Sequence, residues 1–474
     1  MYVFNDATLD SRVRREASTL AAAGFRVSLL AIPRHGAAPA IERERVDGYD
    51  IVRVPVPAEW RGRWQSIVAP WSMRRRSVGA LRRSILVGPG AWSAIPPAAL
   101  GVLGALGLSA LRRAYLAFAS IGRSRDTEKE WPPRELYWLA WWRGAVLGWC
   151  RAAADAAGSA SVHHGHDLTA LPAAIRGAAR DGTRSVYDSH EIYADSSTNA
   201  ERPRWARALL RFLERRWARG TDALVTVNEA YARVIARRVR ASRTVVVHNC
   251  PPRWEPTGEE RARLETIAGI PSGAPIVLYH GAFSRHRGLE QLAVAVLEPG
   301  LERAHVVFLG YGGQRPMLDD LAADPRFDGR LHVVDAVPPD DLLEMIAGAD
   351  VDAIPLQPST LNHWLCTPNK LFESIAAGVP VVVSDFPVMR RIVLEDVDGP
   401  LGAVCDPASP ASIAVAIRSI VECPAAERRA LRERCRIAAA ARWNWETESA
   451  QLLDLYDSLE PREAAWSSAT VRKA

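Results

Sequence analysis

The chain is 474 residues long, about three times a typical domain of ~150 residues, which excludes a single small module and points to two large domains. Apolar residues make up 48% and charged residues 24%. That balance excludes a disordered or fibrous chain and supplies enough apolar surface for large cores. The net charge is +6, and the basic side is nearly all Arg, with Lys only at Lys129, Lys370 and Lys473.

Residues 1–4 and 26–31 read as strands around a helix at 11–23, and the next stretch departs from this pattern. Residues 60–125 hold eleven Arg and no Asp or Glu, so a local surface is basic rather than the whole protein. The longest uncharged run, 84–111, has the length of a bilayer span but contains Pro89, Pro96, Pro97 and several glycines, which argues against one. A Trp-rich helical pattern follows at Trp138, Trp141, Trp142 and Trp149. Arg beside Trp and Leu suits the interface of an anionic bilayer, and a helical elaboration packed on the N-terminal sheet is the competing reading.

Strands then read at 161–164, 184–187 and 223–227, and after a break at 276–280, 305–309, 331–334, 351–354 and 379–384. Short β-branched runs alternating with amphipathic helices are the mark of parallel sheets covered on both faces. The break is Asn249-Cys250-Pro251-Pro252-Arg253-Trp254-Glu255-Pro256, too rich in Pro for helix or central strand, and it reads as an interdomain linker. Two doubly wound α/β domains are expected, at 1–250 and 258–440, with a helical insertion at about 60–150. Ligands of such sheets bind beyond the carboxyl ends of the strands, so functional residues should sit just after them.

The richest segment is Thr367-Pro368-Asn369-Lys370-Leu371-Phe372-Glu373 through Gly378. Pro368 suits a helix start and Gly378 its C-terminal cap. The helix N-terminus then offers free N–H groups with Lys370 in the first turn, a site for phosphate or diphosphate. Glu373, one turn deeper, can accept from the vicinal hydroxyls of a ribose. A solvated Lys370–Glu373 pair on an ordinary helix is the competing reading. The strand-end loop His280-Gly281-Ala282-Phe283-Ser284-Arg285-His286-Arg287-Gly288 offers close backbone approach at Gly281 and two Arg suited to phosphate oxygens. Gly310-Tyr311-Gly312-Gly313 is a third such loop.

In this order, DSRVRREA, HGHD, YDSHE, VHNCPP, HGAFSRHRGL, GYGG, TPNKLFESIAAGVPVVVSD and NWETESAQLLDLY resemble glycosyltransferase family 4, the retaining sugar transferases of GT-B fold, through most of the chain outside about 60–158. The resemblance implies a C-terminal domain that holds a nucleoside-diphosphate sugar, an N-terminal domain that holds the acceptor, and transfer with retention and no metal cofactor. It puts Arg287 in the place of the family's diphosphate-binding Lys, Glu373 in that of its ribose-binding Glu, and Asn369-Lys370 facing the diphosphate. Gly281, Arg285, Gly312 and Thr367 complete the donor side. His166, expected in the loop after the strand 161–164, matches the family's cleft His, and Asp10, Arg12, Asp167, His190 and Glu191 fall on the acceptor side. The last helix, Trp445–Leu459, should cross back onto the N-terminal domain.

Three positions depart from the family. Its first Glu is Leu365 here, the Arg after its strand-end Gly is Ala282, and Asn5-Asp6-Ala7-Thr8-Leu9-Asp10 replaces its first glycine-rich loop. These departures keep a nucleotide-sugar epimerase and a non-catalytic scaffold as alternatives to a transferase.

His163, His164, His166 and His190 invite a metal reading. It is not adopted, because neighbours in a strand point to opposite faces and no second carboxylate pattern completes a site. The six scattered Cys form no framework and fit a reducing compartment. The N-terminus has no basic segment followed by an apolar run, so a cytoplasmic location is expected, on the inner face of the membrane if the acceptor is lipid-linked or a growing glycan. No nucleic-acid module is present.

Overall fold

The computed structural model describes residues 1–8, 10–34, 40–57 and 134–459. Most of the basic insertion, including the 84–111 run, therefore lies outside the described residues.

The N-terminal sheet contains β1 (Ser28–Ala31), β2 (Glu42–Val46), β3 (Tyr49–Arg53), β4 (Val162–His166), β5 (Arg184–Ser189), β6 (Ala223–Thr226) and β7 (Thr244–Val246). Two ladders, β1-β3-β2 and β4-β5-β6-β7, are joined through Tyr2, which bridges in parallel to Leu30 and Gly165. Residues 1–3 thus do the work of a central strand: Tyr2 N–H donates to His164 O at 2.8 Å and Val3 N–H to Leu30 O at 2.9 Å.

The β2–β3 hairpin was absent from the expected elements. Its turn, Asp47-Gly48, takes φ of 47° and 85°, the left-handed pair that a two-residue hairpin requires. Its edge strand, Glu-Arg-Glu-Arg-Val, is charged because an edge that faces water is kept from pairing with other chains. β7 and β13 (below) were also unforeseen, being only three and four residues long.

The C-terminal sheet is six-stranded and wholly parallel, from β8 (Ile276–Ala282), β9 (His305–Tyr311), β10 (Leu331–Asp335), β11 (Val351–Ile354), β12 (Val381–Ser384) and β13 (Gly402–Cys405). Its order, β10-β9-β8-β11-β12-β13, is that of a Rossmann sheet and reverses direction between β8 and β11, where such sheets bind ligands. Several strands run one or two residues past their expected ends. No helix or strand lies between β7 and the helix Glu260–Ala268, in keeping with the Pro-rich break.

The end of the insertion is helical: Arg134–Trp141, a π-helical turn at Trp142–Val146, and Leu147–Ala156. Trp138, Trp142 and Trp149 are buried in the N-terminal core, and Trp149 Nε1 donates to Val54 O at 3.1 Å. For this part of the insertion the packing reading holds and the membrane reading fails, since the rings that would enter lipid are spent on the sheet.

The last helix, Trp445–Leu459, lies on the N-terminal half. Trp445 Nε1 donates to Thr19 Oγ1 at 2.8 Å, and Leu452, Leu455 and Tyr456 join a core cluster with Val13, Leu20 and Val225. Among the described residues no helix is long and apolar enough to cross a membrane.

Candidate functional site

The helix Asn369–Ala376 starts at Pro368, whose extended backbone (φ −67°, ψ 144°) ends the preceding loop. Lys370 in its first turn stacks its Nζ 3.6 Å from the centre of the Tyr279 ring. A Cβ placed on Gly281 would come 3.6 Å from the same Nζ, so the ammonium stands over the glycine at the end of β8. Gly281 has φ 102°, a conformation that disfavours any side chain. Burial and, next, the nearby Arg287 lower the Lys370 pKa to about 7, against the opposing pull of the carboxylates Asp352 and Glu373.

Arg287 is steadied by Ser284, whose Oγ accepts from its Nε at 3.2 Å. Arg285 is exposed and has no ion-pair partner among the described residues. Gly312 lies in the loop after β9, which packs on the loop after β8: Phe283 N–H donates to Tyr311 O at 2.6 Å, and Gln314 N–H to Phe283 O at 3.0 Å. Glu373 faces His280, with 3.0 Å between His280 Nε2 and Glu373 Oε2.

On the opposite wall stands a buried cluster around Asp188 at the end of β5. Its carboxylate takes Arg12 Nε at 3.3 Å and NH2 at 3.2 Å, with His164 Nε2 at 3.6 Å, His166 Nδ1 at 3.4 Å and His190 Nε2 at 3.5 Å. Burial opposes the Asp188 charge, but Arg12 and His190 outweigh it and hold the pKa well below the usual range. Glu16 goes the other way: burial and the Asp188 charge push its pKa well up. Tyr456 reaches in from the last helix, its hydroxyl 2.9 Å from His164 Nδ1.

This geometry changes two expectations. β4 extends through His166, which is therefore not in the following loop and is fully buried; burial and His164 lower its pKa to about 3, leaving it neutral. His190, bonded to it at 3.2 Å, is the imidazole that reaches the cleft. Burial disfavours its charge, yet Asp167 and Asp188 outweigh that and raise its pKa to about 10. Second, a carboxylate pattern does complete the histidine cluster. Glu16, His164, His166 and Asp188 each offer a ligand atom, all within 4.8 Å of one another. The guanidinium of Arg12, 3.0 Å from Glu16 and 3.2 Å from Asp188, already occupies the cation position there, and a divalent ion would have to displace it. His163 points away, to Tyr2 Oη at 2.8 Å and Asp181 at 2.9 Å.

Asp167 takes φ 57° and accepts from His190 N–H at 3.1 Å. Asp10 caps the first helix, accepting from Val13 N–H at 3.2 Å. Glu191 has its pKa raised to about 7 by burial and by Asp167. Between the walls lies a cavity of about 460 Å³ lined by Asn5, Asp10, Arg12, His190 and Asn249 on one side and by Thr367 and Asn369 on the other.

The segment after β11, where Leu365 stands, ties the walls together. Asn228 Nδ2 donates to Leu365 O at 3.0 Å and to Thr367 Oγ1 at 3.2 Å. Ile192 N–H donates to Asn362 Oδ1 and Tyr231 Oη to Asn362 O, both at 2.8 Å. Asp188, Glu16, His280 and Asn228 were not among the expected site residues. Asp188 and His280 lay inside the motifs, and Glu16 one turn after Arg12 was the available signal.

Two Rossmann-like domains facing a polar cleft define the GT-B architecture. The family model for group 1 glycosyl transferases matches residues 260–442, and the glycosyl transferase 4-like domain matches residues 125–250; with both in order along the chain, it belongs to the family 4-like GT-B glycosyltransferases. A glycogen synthase of Mycobacterium tuberculosis is 29% identical over 205 residues, 42% of this chain and 46% of that protein, so the chain spans less than half the length of the curated relative it matches. The sucrose-phosphate synthase of Thermosynechococcus elongatus superposes with a TM-score of 0.63 at 19% identity, over 94% of this chain and 92% of that one. Anabaena HepE, solved in complex with UDP-glucose, gives 0.53 at 16% identity over 66% and 82%.

Proposed function

We propose that the protein transfers a sugar from a nucleoside-diphosphate sugar to an acceptor hydroxyl, with retention of configuration and without a metal ion. The observation that carries this reading is Lys370 standing over Gly281 beside Arg287 at a helix start, with Glu373 one turn deeper. A diphosphate seated there would receive the helix N–H groups and two cations, and Glu373 would receive the ribose hydroxyls. As the glycosidic bond breaks, Lys370 and Arg287 stabilise the charge that gathers on the departing diphosphate, which takes the acceptor's proton on the same face. That HepE binds UDP-glucose supports a UDP-sugar as the first donor to try.

The acceptor belongs in the cavity beneath His190, among Asn5, Asp10 and Asn249. His190 and Glu191 would orient its hydroxyl, and neutral, buried His166 would support His190 from behind rather than touch substrate. Arg12, at the cavity wall, would act through Asp188, and Asp167 through His190. We place the acceptor, a lipid-linked or cell-surface glycan, at the cytoplasmic face of a membrane. The support is the exposed Arg204, Arg215, Arg216, Arg219, Arg233 and Arg237 on and beside the helices Arg204–Ala218 and Glu229–Val239, which have no ion-pair partner among the described residues, together with Phe212 at 61% exposure.

The test is a transfer assay. Arg287→Ala and Glu373→Ala should each lower the rate on the order of a hundredfold, equivalent to about 2.7 kcal/mol. Undiminished transfer would show that the donor does not sit here. Nucleotide binding without any transfer would favour the scaffold reading, and interconversion of the donor sugar would favour the epimerase.

A further inference from the structure

Glu373 is not a free carboxylate on a helix surface. His280, the fifth residue of β8, is fully buried and lies between two acids: Nε2 is 3.0 Å from Glu373 Oε2 and Nδ1 is 3.3 Å from Asp352 Oδ2. Asp352, fully buried on β11, accepts from Ser374 Oγ at 2.5 Å, and the same Oγ lies 2.7 Å from Lys370 O, so its one proton is shared between the two acceptors. A chain of contacts thus runs across the β8–β11 switch point from the helix back to the helix: Ser374, Asp352, His280, Glu373.

A neutral imidazole has one N–H and would leave one of two facing carboxylates with a lone pair against a lone pair. The imidazolium turns a proton toward each, as a hydrogen bond to Glu373 and as an ion pair at 3.3 Å with Asp352. Burial works against that charge, but Asp352 and Glu373 together outweigh it. With Oε2 of Glu373 held by His280, rotation of the carboxylate is restrained, and its other oxygen stays available on a side chain that is 23% exposed.

We propose that His280 is a positioning residue that locks Glu373 for recognition of vicinal hydroxyls, so that the His280–Asp352 pair sets a preference for ribonucleotide over deoxyribonucleotide donors. This rests on the donor reading given above. His280 touches no substrate atom; it acts by fixing the geometry of Glu373, and a carboxylate free to turn would pay ordering entropy on each binding event.

The readout is the ratio of affinities for a ribonucleotide and its 2′,3′-dideoxy analogue, measured by calorimetry with UDP, GDP and ADP and the matching dideoxy compounds. Whichever base binds, the wild-type protein should prefer the ribo form by about tenfold or more, as hydrogen bonds to a charged group imply. Glu373→Gln should reduce that ratio to about threefold or less. His280→Asn and His280→Gln should reduce it equally, with dideoxy affinity unchanged and no further loss in the double variant with Glu373→Gln. A His280 variant that keeps the wild-type ratio, or that weakens ribo and dideoxy binding alike, overturns the proposal. Loss of the ratio in Glu373→Gln alone would leave the donor reading standing while the positioning role falls. Failure of the wild-type protein to bind any of the nucleotides would overturn both.

If neither His280 variant folds, the wild-type protein carries the test. Its ribo preference should decline as pH rises through about 9, where His280 loses its proton. The dideoxy analogue serves as the control for the other groups at this spot, Lys370, Arg287, Asp352 and Glu373. A ratio unchanged across that range would overturn the proposal.

Discussion

Lys370 shows how one side chain joins the cleft's electrostatics to a measurable proton. Its ammonium lies against the Tyr279 face, desolvated and repelled by Arg287, with a pKa of about 7. A bound diphosphate would favour the charged form, so affinity should fall as pH rises through about 7 and protons should be taken up on binding above it. Calorimetry of UDP at pH 8, in buffers of different ionisation heat, should register that uptake. In Arg287→Ala the repulsion is gone, so the pH dependence should move to higher pH even though overall affinity drops. No uptake in the wild-type protein would mean that Lys370 does not meet the phosphates. The motif identified Lys370 and Glu373 from the chain alone, whereas His280 sat unremarked in a strand: its role depends on Asp352, seventy-two residues on by number, and only the pairing of β8 with β11 brings them together.

At the scale of elements, helix starts and strand ends do most of the positioning. Asn228 caps the helix Glu229–Val239 by accepting from Tyr231 N–H at 2.8 Å while its amide nitrogen holds the Leu365–Thr367 turn of the other domain. One residue thereby serves a helix and the cleft's closure. Asn228→Ala should cost about 1 kcal/mol for the cap, and more for the buried carbonyl and hydroxyl it abandons. Urea denaturation should show the loss, and nucleotide affinity should fall with it; Asn228→Asp, which keeps the cap and loses the amide donors, should recover stability in part and affinity little. Strand identity was legible wherever β-branched runs ended in a motif. The β2–β3 hairpin was not, because a charged edge strand lacks the apolar signal, and β4 was read short because Gly165 and His166 carry no strand composition. Their pairing with β5 is dictated by tertiary context, and this is why His166 proved to be buried rather than in a loop.

For the molecule as a whole, the two-domain α/β design followed from the alternation of elements and the Pro-rich break, while charge distribution needed the structure. The exposed Arg residues on the adjacent helices Arg204–Ala218 and Glu229–Val239, without ion-pair partners among the described residues, are spaced along the sequence among acids such as Glu214 and Glu229, and the structure shows which of them stay exposed. Binding to vesicles of anionic lipid should weaken when Arg215, Arg216, Arg219, Arg233 and Arg237 become Ser, and added salt should weaken wild-type binding in the same way, since about 1 kcal/mol per basic residue is at stake. Sedimentation that is unchanged by those substitutions would remove this face from the account.

The central claim is that the cleft binds a nucleoside diphosphate at Lys370, Arg287 and Glu373. The most direct measurement is the thermal stability of the purified protein with UDP, GDP, dTDP and ADP. A ligand at a hundred times its dissociation constant should stabilise the fold by ~2.7 kcal/mol. The account predicts a rise in Tm with one of the four that disappears in Arg287→Ala. A flat response to all four, or a rise that survives Arg287→Ala unchanged, would contradict it.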